Sequence, residues 1–200
     1  MSVPILSGLS VLYIAGLVYW RKSRFSLAGY LWGAFGFAAL GILFAQAGSW
    51  NVALGRVEAQ TMLGLFGWLG LQVSGPDQAS LIVPDPTGWS VLNIGVECSA
   101  LIEACVFSGL LLFYPRFTPG QRQQRLLTGL AATYLINLAR MFIIVAMIHW
   151  LGKSAAPLAH AVVGRLVFFA GIVIVYWQLL TLPTLRIVRR ELEVTGRAAL

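Results

Sequence analysis

Residues 126–148, "LLTGLAATYLINLARMFIIVAMI", decide the fold. As a helix rising 1.5 Å per residue the segment is about 34 Å long, enough to cross roughly 30 Å of hydrocarbon, and Arg140 is its one charged side chain. Comparable apolar runs occupy 4–20, 26–45, 98–114 and 166–182. The chain as a whole is 58% hydrophobic and 10% charged, with mean hydropathy +0.81, whereas soluble chains average about a quarter charged residues. The expected fold is therefore all-α: a polytopic integral-membrane bundle of five to six transmembrane helices, with residues 1–200 forming one domain. A variable sixth segment, 57–74, holds the apolar run 61–74 ("TMLGLFGWLGLQVS"), which is short and Gly-rich and follows Arg56 and Glu58, so periodicity leaves open whether it crosses, re-enters or lies in the interface. No charged n-region or small-residue cleavage site precedes the first run, which reads as a retained span.

The formal charge is +7. The basic residues stand in short clusters between apolar runs, a pattern that membrane orientation explains and nucleic-acid binding does not require. Arg21, Lys22 and Arg24, then Arg116, Arg122 and Arg125, then Arg186, Arg189, Arg190 and Arg197 belong on the cytoplasmic side, making 183–200 a cytoplasmic basic tail. Segments 46–96 and 149–159 hold only Arg56 and Lys153 and fall outside. Between them, 75–96 is rich in Pro, Asp and Gly, with "SLIV" and "WSVLNI" as short extended pieces around a "PDPTG" turn; it reads as a cap or hairpin over the outer face.

On that topology three chemically unusual residues converge in the outer half of the membrane. Cys98 stands at the outer start of 98–114, Arg140 about 12 Å below the outer end of 126–148, and His160 at the opening of the last span. A cysteine attacks a carbonyl as thiolate, so its ordinary pKa of about 8.5 must be lowered or overcome by a base. Arg140 offers a permanent cation and a fork of donors for an oxyanion. His160 is the natural proton carrier between thiol and leaving amine. Asn137 shares a helix face with Arg140, where its amide would orient the guanidinium or donate to a substrate carbonyl. Gly164, one turn after His160, allows close approach of a backbone or substrate. Asn137, Glu97, Gly164 and Arg165 are thus the candidate substrate-binding residues beside the candidate catalytic residues Cys98, Arg140 and His160.

Each has a structural alternative. Cysteine is a small hydrophobe that buries readily, and Cys105, two turns from Cys98, reads as core. Glu97 suits a helix start, although a carboxylate beside the thiol opposes thiolate formation. Glu103 is placed to pair with Arg140 or Arg165 and ease their insertion. His149, next to Trp150, reads as interfacial. No phosphate-binding glycine loop or metal-ligand spacing occurs, and no metal or cofactor is expected.

Three boxes resemble one known family. "VECSALIEACVFSGLLLFYP" resembles the cysteine box of the exosortase/archaeosortase family, "NLAR" (Asn137–Arg140) its Asn-x-x-Arg box, and "AHAVVGRLVFF" (159–169) its His-x-x-x-Gly box. The boxes keep the family's order over roughly residues 90–170, and the short chain is most similar to compact exosortases of the G type. The resemblance implies an integral-membrane cysteine transpeptidase of a prokaryotic plasma membrane, with its active site facing the extracytoplasmic side. Its substrates would be exported proteins ending in a short motif, a transmembrane stretch and a basic tail. Cleavage would pass through a thioester on Cys98, with transfer of the new C-terminus to a lipid or glycan acceptor. Arg140 would be the catalytic arginine and His160 the third member, with Arg165 as its rival because archaeal relatives use an arginine there.

Two other functions stay open: a transporter using Glu103, Arg140 and Arg165 as an intramembrane charge relay, and a scaffold for a cell-envelope glycosyltransferase.

Overall fold

The computed structural model describes residues 3–22, 26–75, 79–95 and 98–198. Helices α1 (Val3–Lys22) and α2 (Ser26–Ala47) form an antiparallel pair, followed by α3 (Trp50–Trp68). A two-stranded antiparallel hairpin, β1 (Ser80–Asp85) and β2 (Gly88–Asn93), then precedes α4 (Leu101–Phe113) and the long α5 (Pro119–Leu151). The remainder is one continuous helical rod. It begins with a 3-10 turn at Lys153–Ala155 and α6 (Ala156–Leu158), continues through a π turn at Ala159–Val163 into α7 (Gly164–Tyr176), and passes a second π turn at Trp177–Thr181 into α8 (Leu182–Ala198).

Four helical stretches, 4–22, 27–47, 119–151 and 153–193, are long and apolar enough to cross a membrane. Their outward faces carry Val11, Leu135, Phe169 and Ile174, each more than half exposed. Such a belt fits a lipid surrounding, where apolar side chains cost nothing. The expected count of five to six differs at two places. The 98–114 run yields only the 13-residue α4, about 20 Å long, because residues 98–100 form a turn and Ala100 takes a left-handed φ of 51°. The variable segment begins earlier than its apolar run: α3 starts at Trp50, and Gly55, Glu58, Ala59, Met62 and Phe66 make a buried stripe at helical spacing. It is an amphipathic helix on the side of α5, held by a hydroxyl hydrogen bond between Thr61 and Tyr134 of 2.9 Å and by stacking of Phe66 on Phe142.

Within the 75–96 segment, residues 80–93 form a hairpin, as the turn residues predict. Asp85 and Gly88 close it around Pro86–Thr87, with the Asp85 carboxylate accepting from the Thr87 amide at 2.7 Å and the Ser90 hydroxyl at 2.7 Å. These bonds, Thr87 first, hold the half-buried Asp85 carboxyl below its ordinary pKa. His149 is no bare interfacial side chain: its Nδ1 meets the Pro84 carbonyl at 2.7 Å and ties the hairpin to the end of α5. At the opposite end of the bundle, Thr118 and Gln121 cap α5 reciprocally, and Arg116 pairs with Glu191 of α8.

Close helix approach explains two glycines. A Cβ on Gly109 of α4 would strike the Ala34 carbonyl of α2, and one on Gly41 of α2 would crowd the Cys105 sulfur at 3.2 Å. Cys105 is thereby part of the α2–α4 packing.

Candidate functional site

Cys98 lies in the turn between β2 and α4, not inside a helix. Its N–H donates to the Gly95 carbonyl at 3.0 Å, and the residue is 4% exposed among Met62, Leu81, Met141 and Ile144. The left-handed backbone at Ala100, unusual for a residue with a Cβ, turns the chain into α4 at the next residue. The Cys98 Sγ is thus presented to the π turn of the last rod, and it meets His160 Nε2 at 3.9 Å, hydrogen-bonding reach for sulfur, across 62 residues of sequence. His160 does not open a helix as expected; it sits within a continuous one, in the widened Ala159–Val163 turn. Single π turns of this kind recur at functional sites because they re-aim a side chain without breaking the helix.

Below the thiol lies a buried polar cluster. Asn137 of α5 is fully buried, and its amide donates to the Cys98 carbonyl at 2.6 Å and to Glu58 Oε1 of α3 at 2.9 Å. These donations replace the expected role of Asn137 toward Arg140 or a substrate carbonyl. The amide is committed to holding the cysteine turn, because the alternative is a buried, unmet carbonyl and carboxylate. Arg140, one turn along α5, is 5% exposed; it acts electrostatically on Glu58 and lies over the Phe168 ring at 5.3 Å. It also lines a cavity of about 280 Å³ together with Glu103 and Arg165.

The sequence-derived residues therefore divide. Cys98 and His160 come into contact. Asn137 and Arg140 form the layer beneath, and Arg165 and Glu103 share the lower cavity with Arg140. Gly164 packs: a Cβ there would meet Ile144 Cδ1 at 2.8 Å, so it sets the distance between α7 and α5. Glu97 lies outside the described residues.

Glu58 is the residue that sequence reasoning missed. In the sequence it is only a charge just ahead of the 61–74 apolar run, yet it is fully buried. The detectable signal was the i, i+4, i+8 series Glu58, Met62, Phe66, which puts the carboxylate on the buried face of an amphipathic helix.

An open cleft of about 470 Å³ runs between β2 and the start of the last rod, bordered by residues 89–93 on one side and by Ile148, Lys153, Ala156 and His160 on the other. His160 thus faces the thiol and the cleft at once. No protein-family model, curated protein or solved structure matches the chain.

Proposed function

We propose that this chain is a membrane-embedded cysteine peptidase and transpeptidase of the exosortase type, multi-pass in a prokaryotic plasma membrane, with the hairpin end outside and α8 inside. On this reading α4 and the four longer helical stretches make five crossings, and α3 packs against α5 as a sixth, amphipathic helix. The observation that carries the proposal is the pairing of the Cys98 sulfur with His160 Nε2 at 3.9 Å by two segments far apart in sequence, beside a cleft open to extended substrates.

The chemistry follows from that pair. His160 removes the thiol proton as Sγ attacks the scissile carbonyl, and the tetrahedral oxyanion is stabilised by the Arg140 charge and nearby donors. The C–N bond then breaks as imidazolium returns the proton to the leaving amine, leaving a thioester. An acceptor amine or hydroxyl on a lipid or glycan resolves it and regenerates the thiol. Substrates would be exported proteins whose C-terminal transmembrane stretch lies in the bilayer beside the bundle, basic tail inward. The exposed apolar residues Leu185, Val188 and Leu192 of α8, on a helix that also bears Arg186, Arg189 and Arg190, suit a position at an anionic lipid surface.

The test is alkylation of Cys98 by a membrane-impermeant thiol reagent in a Cys105→Ala background. Replacing His160 with Gln is expected to slow labelling at neutral pH by about tenfold or more. Equal rates in both proteins would remove the case for a nucleophile.

A second reading rests on the cavity shared by Glu103, Arg140 and Arg165: a charge relay across the bundle. It predicts that Cys98→Ala retains full function while Glu103→Gln abolishes it.

A further inference from the structure

The hairpin has one edge occupied and one edge open. On β1, the Ile82 amide and carbonyl both bond to Ser74, at 2.6 and 3.0 Å, so they cannot serve Val91, the residue opposite Ile82 on β2. Ile82–Val91 is therefore a wide pair of the antiparallel ladder. The narrow pairs are Leu81–Leu92 and Val83–Ser90, and the alternation continues to the Ile94 amide, which donates to Ala79 at 2.9 Å. Pro84, which has no N–H to give, falls in a wide pair opposite Trp89, where none is needed. It follows that Trp89, Val91 and Asn93 turn their N–H and C=O groups away from β1. Among the described residues no backbone hydrogen bond reaches them there.

Sheet edges of this kind are ordinarily blunted by charge, proline or a covering segment. The residues of β2, Gly88–Asn93, include neither a charge nor a proline, among the described residues no further strand pairs with this edge, and Trp89, Val91 and Asn93, together with Ser90 and Leu92, border the cleft that ends at His160. Past Asn93 the chain reaches Cys98 in five residues, at most about 17 Å. The open edge and the cleft meet at His160, whose imidazole contacts the buried Cys98 thiol.

We infer that the free edge of β2 is a substrate-docking strand: an extended polypeptide adds to it as a third strand, pairing its backbone with Trp89, Val91 and Asn93, and is thereby led to the Cys98–His160 pair. For its purpose this inference rests on the transpeptidase reading. Recognition by backbone pairing gives affinity that tolerates many sequences, with selectivity left to the side chains that flank Trp89 and Val91. It also extends the substrate, the conformation in which a scissile amide is accessible from one face.

The experiment uses the whole chain carrying Cys98→Ala in lipid nanodiscs, so that binding is read apart from chemistry. The probe is the β-forming peptide acetyl-Thr-Val-Thr-Val-Thr-amide. It is compared with two N-methylated analogues, one blocked at both valines and one at the central threonine. Strand addition slows amide exchange at Trp89, Val91 and Asn93 but not at Ser90 and Leu92. It also makes one analogue bind about tenfold or more weakly while the other binds like the parent, because only alternate amides face the protein. Val91→Pro, which removes one outward N–H and leaves the ladder amides of Ser90 and Leu92 in place, weakens binding similarly. Absence of protection at those three amides, or identical affinity of the two analogues, overturns the inference. Iodoacetamide labelling of the unsubstituted protein, run in parallel, reports the thiol alone; its failure would sink the catalytic reading while the exchange data still decide the edge.

Discussion

The bundle has two cores, and they are built on opposite terms. The one at the basic end is built from apolar and aromatic side chains: Phe107, Leu111, Phe117 and Val175 are buried together, with Tyr176 edge-on to Phe107 at 5.2 Å, and its cations lie at the margin, Arg125 over Phe117 at 4.1 Å and Arg122 donating to the Tyr114 carbonyl at 3.0 Å. The one at the hairpin end buries Met62, Leu81, Met141 and Ile144, but in the same volume it also buries Glu58, Ser99, Asn137 and Arg140. Packing alone suffices to hold helices of this length together, as the first core demonstrates. A carboxylate, a carboxamide and a guanidinium in the second add desolvation costs that a purely structural core avoids. Burial of a carboxylate, a carboxamide and a guanidinium together, beneath the contact between a thiol and an imidazole, sets the half we propose as the working one apart from its frame.

That contrast can be broken from either side. The largest effect on stability is expected from the frame: Phe107→Ala removes the ring against which Gly129 of α5 packs and should cost about 3–5 kcal/mol of unfolding free energy, read by thermal unfolding in detergent, with Cys98 alkylation unchanged in the folded fraction. Large loss of thiol reactivity at preserved stability would show that the two cores are coupled. A smaller effect is expected in the working half. Glu58→Ala leaves the Asn137 amide one acceptor short and should destabilise by about 1–3 kcal/mol, whereas Glu58→Gln, which keeps an acceptor oxygen, should recover most of this. Equal loss in both variants would assign Glu58 an importance of charge over hydrogen bonding, through Arg140. The smallest effect lies in the hairpin. Asp85 has its carboxyl pKa lowered by Thr87 and Ser90, so the folded hairpin binds a proton less readily than the unfolded one. Its contribution is complete above the ordinary carboxylate value of about 3.9 and is lost as pH falls through the lower folded value. Amide exchange across 80–93 should therefore quicken only in strong acid, and Asp85→Asn should remove that dependence; a transition near neutrality would contradict it.

Much of the frame was legible from single stretches. Residues 126–148 announce a long apolar helix, and α5 occupies Pro119–Leu151; "PDPTG" announces a turn, and Asp85 and Gly88 flank one. The contact between Cys98 and His160 agrees with the convergence that topology implied. What resisted reading depends on tertiary placement. Asn137 has the same amide wherever it stands, and only the arrival of Glu58 and the Cys98 carbonyl on either side decides what that amide binds. α3 hid because its buried stripe is interrupted by a charge, so a search for unbroken apolar runs starts eleven residues late. The late start of α4 traces to one backbone angle at Ala100, a residue whose identity favours joining the helix.

The π turn at Ala159–Val163 has a consequence for chain length as such. A π turn holds one residue more than an α turn, and in an α-helix each residue advances the azimuth by about 100°. Because the wider turn spreads nearly the same rotation over that extra residue, removing one residue there would restore a regular α turn and leave the segments on either side in nearly their present orientation. The extra residue thus acts locally: it widens the helix wall at His160, where the imidazole meets the thiol, without redirecting the rod.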